Sequence, residues 1–165
     1  MREGSGYQTL KAQTSIQDIL SVAIQFEKTA RDFYTDMIPK VSKRIRYLVE
    51  ELAEEEQRHF DLLSDMVARS DITAALQQRI AVPPSDSKFS DCIQAPELSE
   101  QPDDQAILQY ALRREQAAME QYQDLANKSD KGPIKDLFQY LAHEETEHKL
   151  ELEKLYYEVV HTGGV

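Results

Sequence analysis

The stretch Leu52-Ala53-Glu54-Glu55-Glu56-Gln57-Arg58-His59 returns later in the chain as Leu141-Ala142-His143-Glu144-Glu145-Thr146-Glu147-His148. Both copies read Leu-Ala-x-Glu-Glu-x-x-His, so each closes on a Glu-x-x-His pair. Residues three apart share one face of a helix, which sets Glu56 beside His59 and Glu145 beside His148. Upstream of each copy lies a second matched segment, Glu27 with Tyr34 and Glu115 with Tyr122. Together these segments offer four carboxylates and two imidazoles. One buried Glu-x-x-His is explained as well by a hydrogen-bonded pair. The duplicated set points to a dinuclear metal site.

Working outward, each of these residues falls on an apolar stripe of helical period. A first helix is expected from Ser15, whose hydroxyl can cap it, to just before Pro39, with the stripe Ile16, Leu20, Ala23, Glu27, Ala30, Tyr34, Met37. A second begins at Ser42 and carries Ile45, Leu52, Glu56, His59, Leu63 and Met66. A third follows Pro102 with Leu108, Ala111, Glu115, Ala118, Tyr122 and Leu125. A fourth starts at Pro133 with Ile134, Phe138, Leu141, Glu145, His148, Leu152 and Leu155. The repeated Glu and His are the ionisable interruptions of these stripes.

The links at Pro39 and Gly132 are short and force antiparallel hairpins, whereas roughly residues 70–101 can cross the whole bundle. Within that connection Asp71 to Ile80 could form a short extra helix, and the Pro83-Pro84 and Pro96 region reads as irregular loop. The expected fold is all-α, a ferritin-like four-helix bundle of two antiparallel hairpins joined by a long crossover. Register supports it. The midpoint between Glu27 and Glu56 falls between Val41 and Ser42, and that between Glu115 and Glu145 falls on Asp130. Both midpoints coincide with the turns, so each hairpin sets its glutamates level.

At 165 residues the chain is expected to be one domain, with a helical core over about 15–160. Its 5 Gly and 6 Pro leave long uninterrupted helical segments. A formal charge of -11 argues against nucleic acid or an anionic membrane as a partner. No run approaches a membrane span, and Met1 to Leu10 lacks the apolar core of a signal peptide, so a cytoplasmic location is expected. The single Cys92 excludes an internal disulfide and a four-cysteine centre within one chain.

Core carboxylates without a countercharge protonate or acquire a partner, and no Lys or Arg occupies the stripes. Two divalent cations would balance them, with neutral imidazoles completing the ligand set. Such mixed ligation suits iron or manganese, and zinc can be accommodated. Tyr34 and Tyr122 either donate to a ligating carboxylate or pack with the hydroxyl satisfied elsewhere. Glu54, Glu55 and Glu144 turn away from the stripes and are expected in solvent, as are His143 and His161. Neither a phosphate loop nor a nucleotide fingerprint is present.

The paired Leu-Ala-x-Glu-Glu-x-x-His segments, with single glutamates and following tyrosines, resemble the ferritin-like domain of the rubrerythrin family over about residues 15–160. The resemblance implies a di-iron centre that reduces peroxide or reacts with dioxygen. It implies Glu27, Glu56, His59, Glu115, Glu145 and His148 as ligands, with Glu56 and Glu145 bridging and Glu27 and Glu115 terminal. Two departures stand out. Rubrerythrins carry a further glutamate near the third-helix ligand, where this chain has Ala118 three residues after Glu115. They also carry a rubredoxin module with paired cysteines, so electrons here would come from a separate donor. The expected function is therefore a non-haem di-iron oxidoreductase. Iron or zinc storage or buffering, and a metal that only staples the bundle, are the alternatives. The same resemblance, with apolar Ile24, Phe26, Phe89, Tyr140 and Tyr157 beyond the stripes, leads to the expectation of a homodimer or larger assembly, a homodimer first.

Overall fold

A computed structural model describes residues 13–81 and 102–161. The element order is β1 (Gln13–Ser15), α1 (Ile16–Met37), α2 (Lys43–Ala68), α3 (Thr73–Leu76), β2 (Arg79–Ala81), α4 (Asp104–Lys128) and α5 (Pro133–His161). α1 packs chiefly on α2, and α4 on α5. The four long helices and their boundaries follow the capping signals. Ser15 Oγ accepts from the Asp18 amide at 3.1 Å and opens α1. The Asp103 carboxylate accepts from the Ala106 amide at 2.8 Å and opens α4. Each satisfies an amide that the first helical turn leaves without an internal partner.

Ser42 departs from this pattern. It stands at the N-cap of α2, but its side chain makes no cap there. Its amide and hydroxyl instead donate to the Asp104 carboxylate, the amide at 3.0 Å. The turn of the first hairpin is thereby tied to the start of α4. At the other end Gln78 Nε2 donates to Asp130 at 2.9 Å, joining the crossover to the turn of the second hairpin. Gly132 in that turn has φ 155, a conformation that side chains rarely adopt.

The extra helix expected over 71–80 is a single turn, Thr73–Leu76, and the chain then enters a strand. β2 pairs antiparallel with β1, with Thr14 opposite Ile80. Three residues per strand are too few for alternation to show in the sequence, and the pair forms because both segments meet at one end of the bundle. Cys92, Phe89 and the proline-rich part of the crossover lie outside the described residues. Among the described residues, no helix is long and apolar enough to cross a membrane.

The core comes in two apolar blocks. One gathers Ile16, Leu20, Phe26, Leu63, Tyr122 and Phe138. The other gathers Ala30, Tyr34, Ile45, Leu52, Ile107 and Leu152. On every long helix the buried positions between the blocks carry the repeated Glu and His, with Arg114 beside Glu115 on α4. A polar layer therefore crosses the bundle at one height, as the turn midpoints require.

Candidate metal centre

All six residues of that layer are buried. Glu27, Glu56, His59, Glu115, Glu145 and His148 are each at most 4% exposed. They form two overlapping groups, Glu27, Glu56, His59 and Glu145 in one and Glu56, Glu115, Glu145 and His148 in the other. Within each group the candidate ligand atoms lie within 4.8 Å of one another. Glu56 and Glu145 belong to both groups, because the Glu-x-x-His helices α2 and α5 each bring a carboxylate to the middle of the layer.

The two imidazoles point the same nitrogen inward. His59 Nδ1 lies 3.1 Å from Glu145 Oε1, 3.7 Å from Glu27 Oε2 and 3.8 Å from Glu56 Oε2. His148 Nδ1 lies 3.6 Å from Glu115 Oε2 and 3.7 Å from both Glu56 Oε1 and Glu145 Oε2. The rings stack with centroids 5.8 Å apart and an interplanar angle of 18°.

Both tyrosines bond to a glutamate of the layer, and each crosses to the other hairpin. Tyr122 donates its hydroxyl to Glu27 Oε1 at 2.6 Å, and Tyr34 donates to Glu115 Oε1 at 3.0 Å. Burial, reinforced by the Glu56 and Glu27 carboxylates respectively, raises Tyr34 and Tyr122 well above the ordinary phenol range. Both therefore stay protonated donors.

Electrostatics among the remaining groups is strained. Burial and repulsion from Glu145 and Glu27 push Glu56 well above the usual carboxylate range. Glu145 meets the same burial, but the neighbouring His148 and His59 rings outweigh it and hold the carboxyl at about 2. Burial disfavours the charged ring of His148, yet Glu145, then Glu56 and Glu55, carry it up to about 9. His59 is raised in the same way by Glu145, Glu27 and Glu56 against its burial.

These residues fit a pair of divalent cations. Glu27 Oε2, Glu56 Oε1, Glu115 Oε2, Glu145 Oε1 and both Nδ1 atoms are buried without a hydrogen-bond partner, and all face the same layer. Buried polar atoms are seldom left so, and a cation between them would satisfy all six. The mixed oxygen and nitrogen donor set suits iron or manganese and accommodates zinc.

Three features escaped the sequence. Arg114 is buried beside Glu115, with Nη2 donating to the Phe26 carbonyl at 2.9 Å and Nη1 to the Tyr110 hydroxyl at 3.2 Å. Its guanidinium lies 4.4 Å from the centroid of the Phe26 ring. Arg114 is one position off the stripe, so periodicity gives it no signal. Glu55 and Glu144 are not free in solvent, as expected, but half-buried. Glu55 Oε2 meets His148 Nε2, and Glu144 Oε1 lies 3.8 Å from His59 Nε2. Here a signal did exist. The position before each repeated ligand glutamate is again glutamate in both copies, whereas the one before that is Glu54 in one and His143 in the other.

Comparison with known proteins agrees with this architecture. A solved structure described as a dodecameric thioferritin, the bacterioferritin-related protein from Bacteroides fragilis, superposes with a TM-score of 0.67. The match has 23% identity and covers 90% of this chain and 88% of that one. At that identity the likeness establishes the fold, which is ferritin-like. It also overturns the homodimer expectation, since the similar protein is dodecameric. Phe26 and Ile24, two residues offered for a dimer face, pack into this chain's own core. No curated protein matches the chain. The rubrerythrin family model matches residues 18–93 and 106–162, which is most of the chain, and the protein belongs to the rubrerythrin family.

Proposed function

We propose that this protein is a non-haem di-iron oxidoreductase that reacts with hydrogen peroxide or dioxygen. The observation that carries the reading is the pair of overlapping donor groups sharing Glu56 and Glu145. Two ferrous ions held there supply both electrons of a two-electron reduction of one oxidant molecule. The chain's own residues do the rest. Glu27, Glu56, His59, Glu115, Glu145 and His148 bind, the first and fourth as terminal and the second and fifth as shared carboxylates. Tyr34 and Tyr122 orient the two terminal carboxylates by hydrogen bonds that leave one oxygen of each turned to the layer. The apolar blocks above and below exclude water. Electrons to restore the ferrous state come from a separate donor, and the setting is the cytoplasm.

A second reading is iron or zinc storage or buffering without turnover, supported by likeness to a protein described as a thioferritin. One experiment separates the two. The anaerobically iron-loaded protein is given one equivalent of peroxide or dioxygen, and absorption is followed with and without a reductant. Oxidation followed by repeated turnover supports the enzyme. A ferrous protein inert to both oxidants leaves only the binding reading.

A further inference from the structure

Arg114 stands one position before Glu115 on α4, and Phe26 stands one position before Glu27 on α1. The two are joined across the seam between the hairpins. Arg114 Nη2 donates to the Phe26 carbonyl at 2.9 Å, and the guanidinium lies over the Phe26 ring, 4.4 Å from its centroid. Nη1 donates to the Tyr110 hydroxyl at 3.2 Å, one turn back on α4. Tyr110 in turn meets Phe33 edge-on with ring centroids 4.2 Å apart, and Phe33 borders Tyr34, which holds Glu115. Arg114 is 2% exposed, so this is a charge inside the bundle at the level of the layer. Taking the metal-centre reading above as given, we propose that Arg114 is a positioning residue of that centre. It pins α1 to α4 beside Glu27 and Glu115, and its fixed charge raises the reduction potential of the bound metal pair.

A guanidinium keeps its proton in any protein setting. Burial disfavours its charge here, yet Tyr34, Tyr110 and Glu56 more than offset that cost. Its field reaches the layer. Burial raises the Tyr34 and Tyr122 phenols, and Arg114 draws both part of the way back. Charges in a protein interior are screened far less than charges in water. Two ferrous ions balance the four carboxylates of the layer, and two ferric ions overshoot them. A neighbouring cation therefore opposes the oxidised pair more than the reduced one. The surroundings of a metal site set its potential in this way without touching the metal.

A mediated redox titration of the iron-loaded full chain, followed by absorption, tests this. Arg114→Met and Arg114→Gln should both shift the ferric–ferrous midpoint to lower potential, and by similar amounts, since both lose the charge. Phe26→Leu loosens the same seam but keeps the charge, so its midpoint should stay at the native value. Without metal, Arg114→Met should melt below the native protein, because its bonds across the seam are lost. If Arg114→Met fails to fold, Arg114→Gln, which retains an amide donor, carries both measurements. Native midpoints in the Arg114 variants overturn the charge role. A shift as large in Phe26→Leu assigns the effect to packing and overturns that role equally. An unchanged melting temperature in Arg114→Met overturns the pin. A native protein that takes up no iron overturns the metal-centre reading itself, and the potential claim with it.

Discussion

Tyr34 on α1 donates to Glu115 on α4, 3.0 Å away and 81 residues along the chain, although Glu27 shares its own helix. Tyr122 returns the bond to Glu27. Each hairpin thus holds the first-helix glutamate of the other, Glu27 in one and Glu115 in the other. Buried hydrogen bonds to charged groups contribute about 1.5–3 kcal/mol. Tyr34→Phe and Tyr122→Phe should each lower unfolding free energy by roughly that amount, read from urea midpoints at constant slope. A loss confined to one of the two would show that the crossed pair is not equivalent.

Glu56→Ala and Glu145→Ala should each abolish uptake of both ions, because those carboxylates belong to both donor groups. Glu27→Ala and Glu115→Ala should cost one ion each. Metal content per chain after dialysis at micromolar free iron checks the contrast. Retention of one ion by Glu56→Ala would remove the shared role.

Metal uptake should release protons. In the metal-free layer Glu145 lifts His148 to about 9, so that ring carries its second proton at pH 7, and His59 and Glu56 are shifted in the same direction, towards the protonated form. A cation must displace such protons. Zinc added to unbuffered protein should therefore acidify the solution. Affinity should strengthen as pH rises towards about 9, where the His148 proton leaves unaided. The linkage sign for the metal-free fold is opposite. His148 is raised above its unfolded value, so its contribution to stability is full below about 6.5 and is lost as pH climbs through about 9. A zinc titration with no pH change in weak buffer would refute the assignment of these protons.

Ala118 is buried within the apolar block beside Leu20, Leu63 and Tyr122. Restoring a carboxylate by Ala118→Glu should cost the metal-free protein several kcal/mol, the usual penalty of an unpaired buried charge. If the new side chain reaches the layer, iron should recover most of that loss and turnover with peroxide should rise. Thermal melts with and without iron, beside peroxide consumption, distinguish a reaching carboxylate from a merely disruptive one.

The sequence made the four long helices and their levels legible because ligand, cap and turn signals fell on different residues and agreed. Ser15, Pro102 and Pro133 marked helix starts through local chemistry, which does not depend on distant contacts. The metal candidates were legible because duplication marks them twice. What stayed hidden was whatever depends on a neighbouring helix. Arg114 enters the seam from a position off the stripe. Glu55 and Glu144 look solvated on a single helical wheel and become half-buried only when α2 and α5 meet. The β1–β2 pair joins segments separated by the first hairpin, and three residues per strand leave no period to read.

The polar layer has a bearing on time as well as on stability. Each hairpin brings three of the six candidate ligands, and most of its close packing lies within itself. Hairpins of this kind assemble from near neighbours and form quickly. The first hairpin alone supplies Glu27, Glu56 and His59 and the second Glu115, Glu145 and His148, and docking adds the fourth donor of each group from the other hairpin. A cation held by all four donors of a group would therefore act as a latch on the docked pair of hairpins and lengthen the life of the bundle.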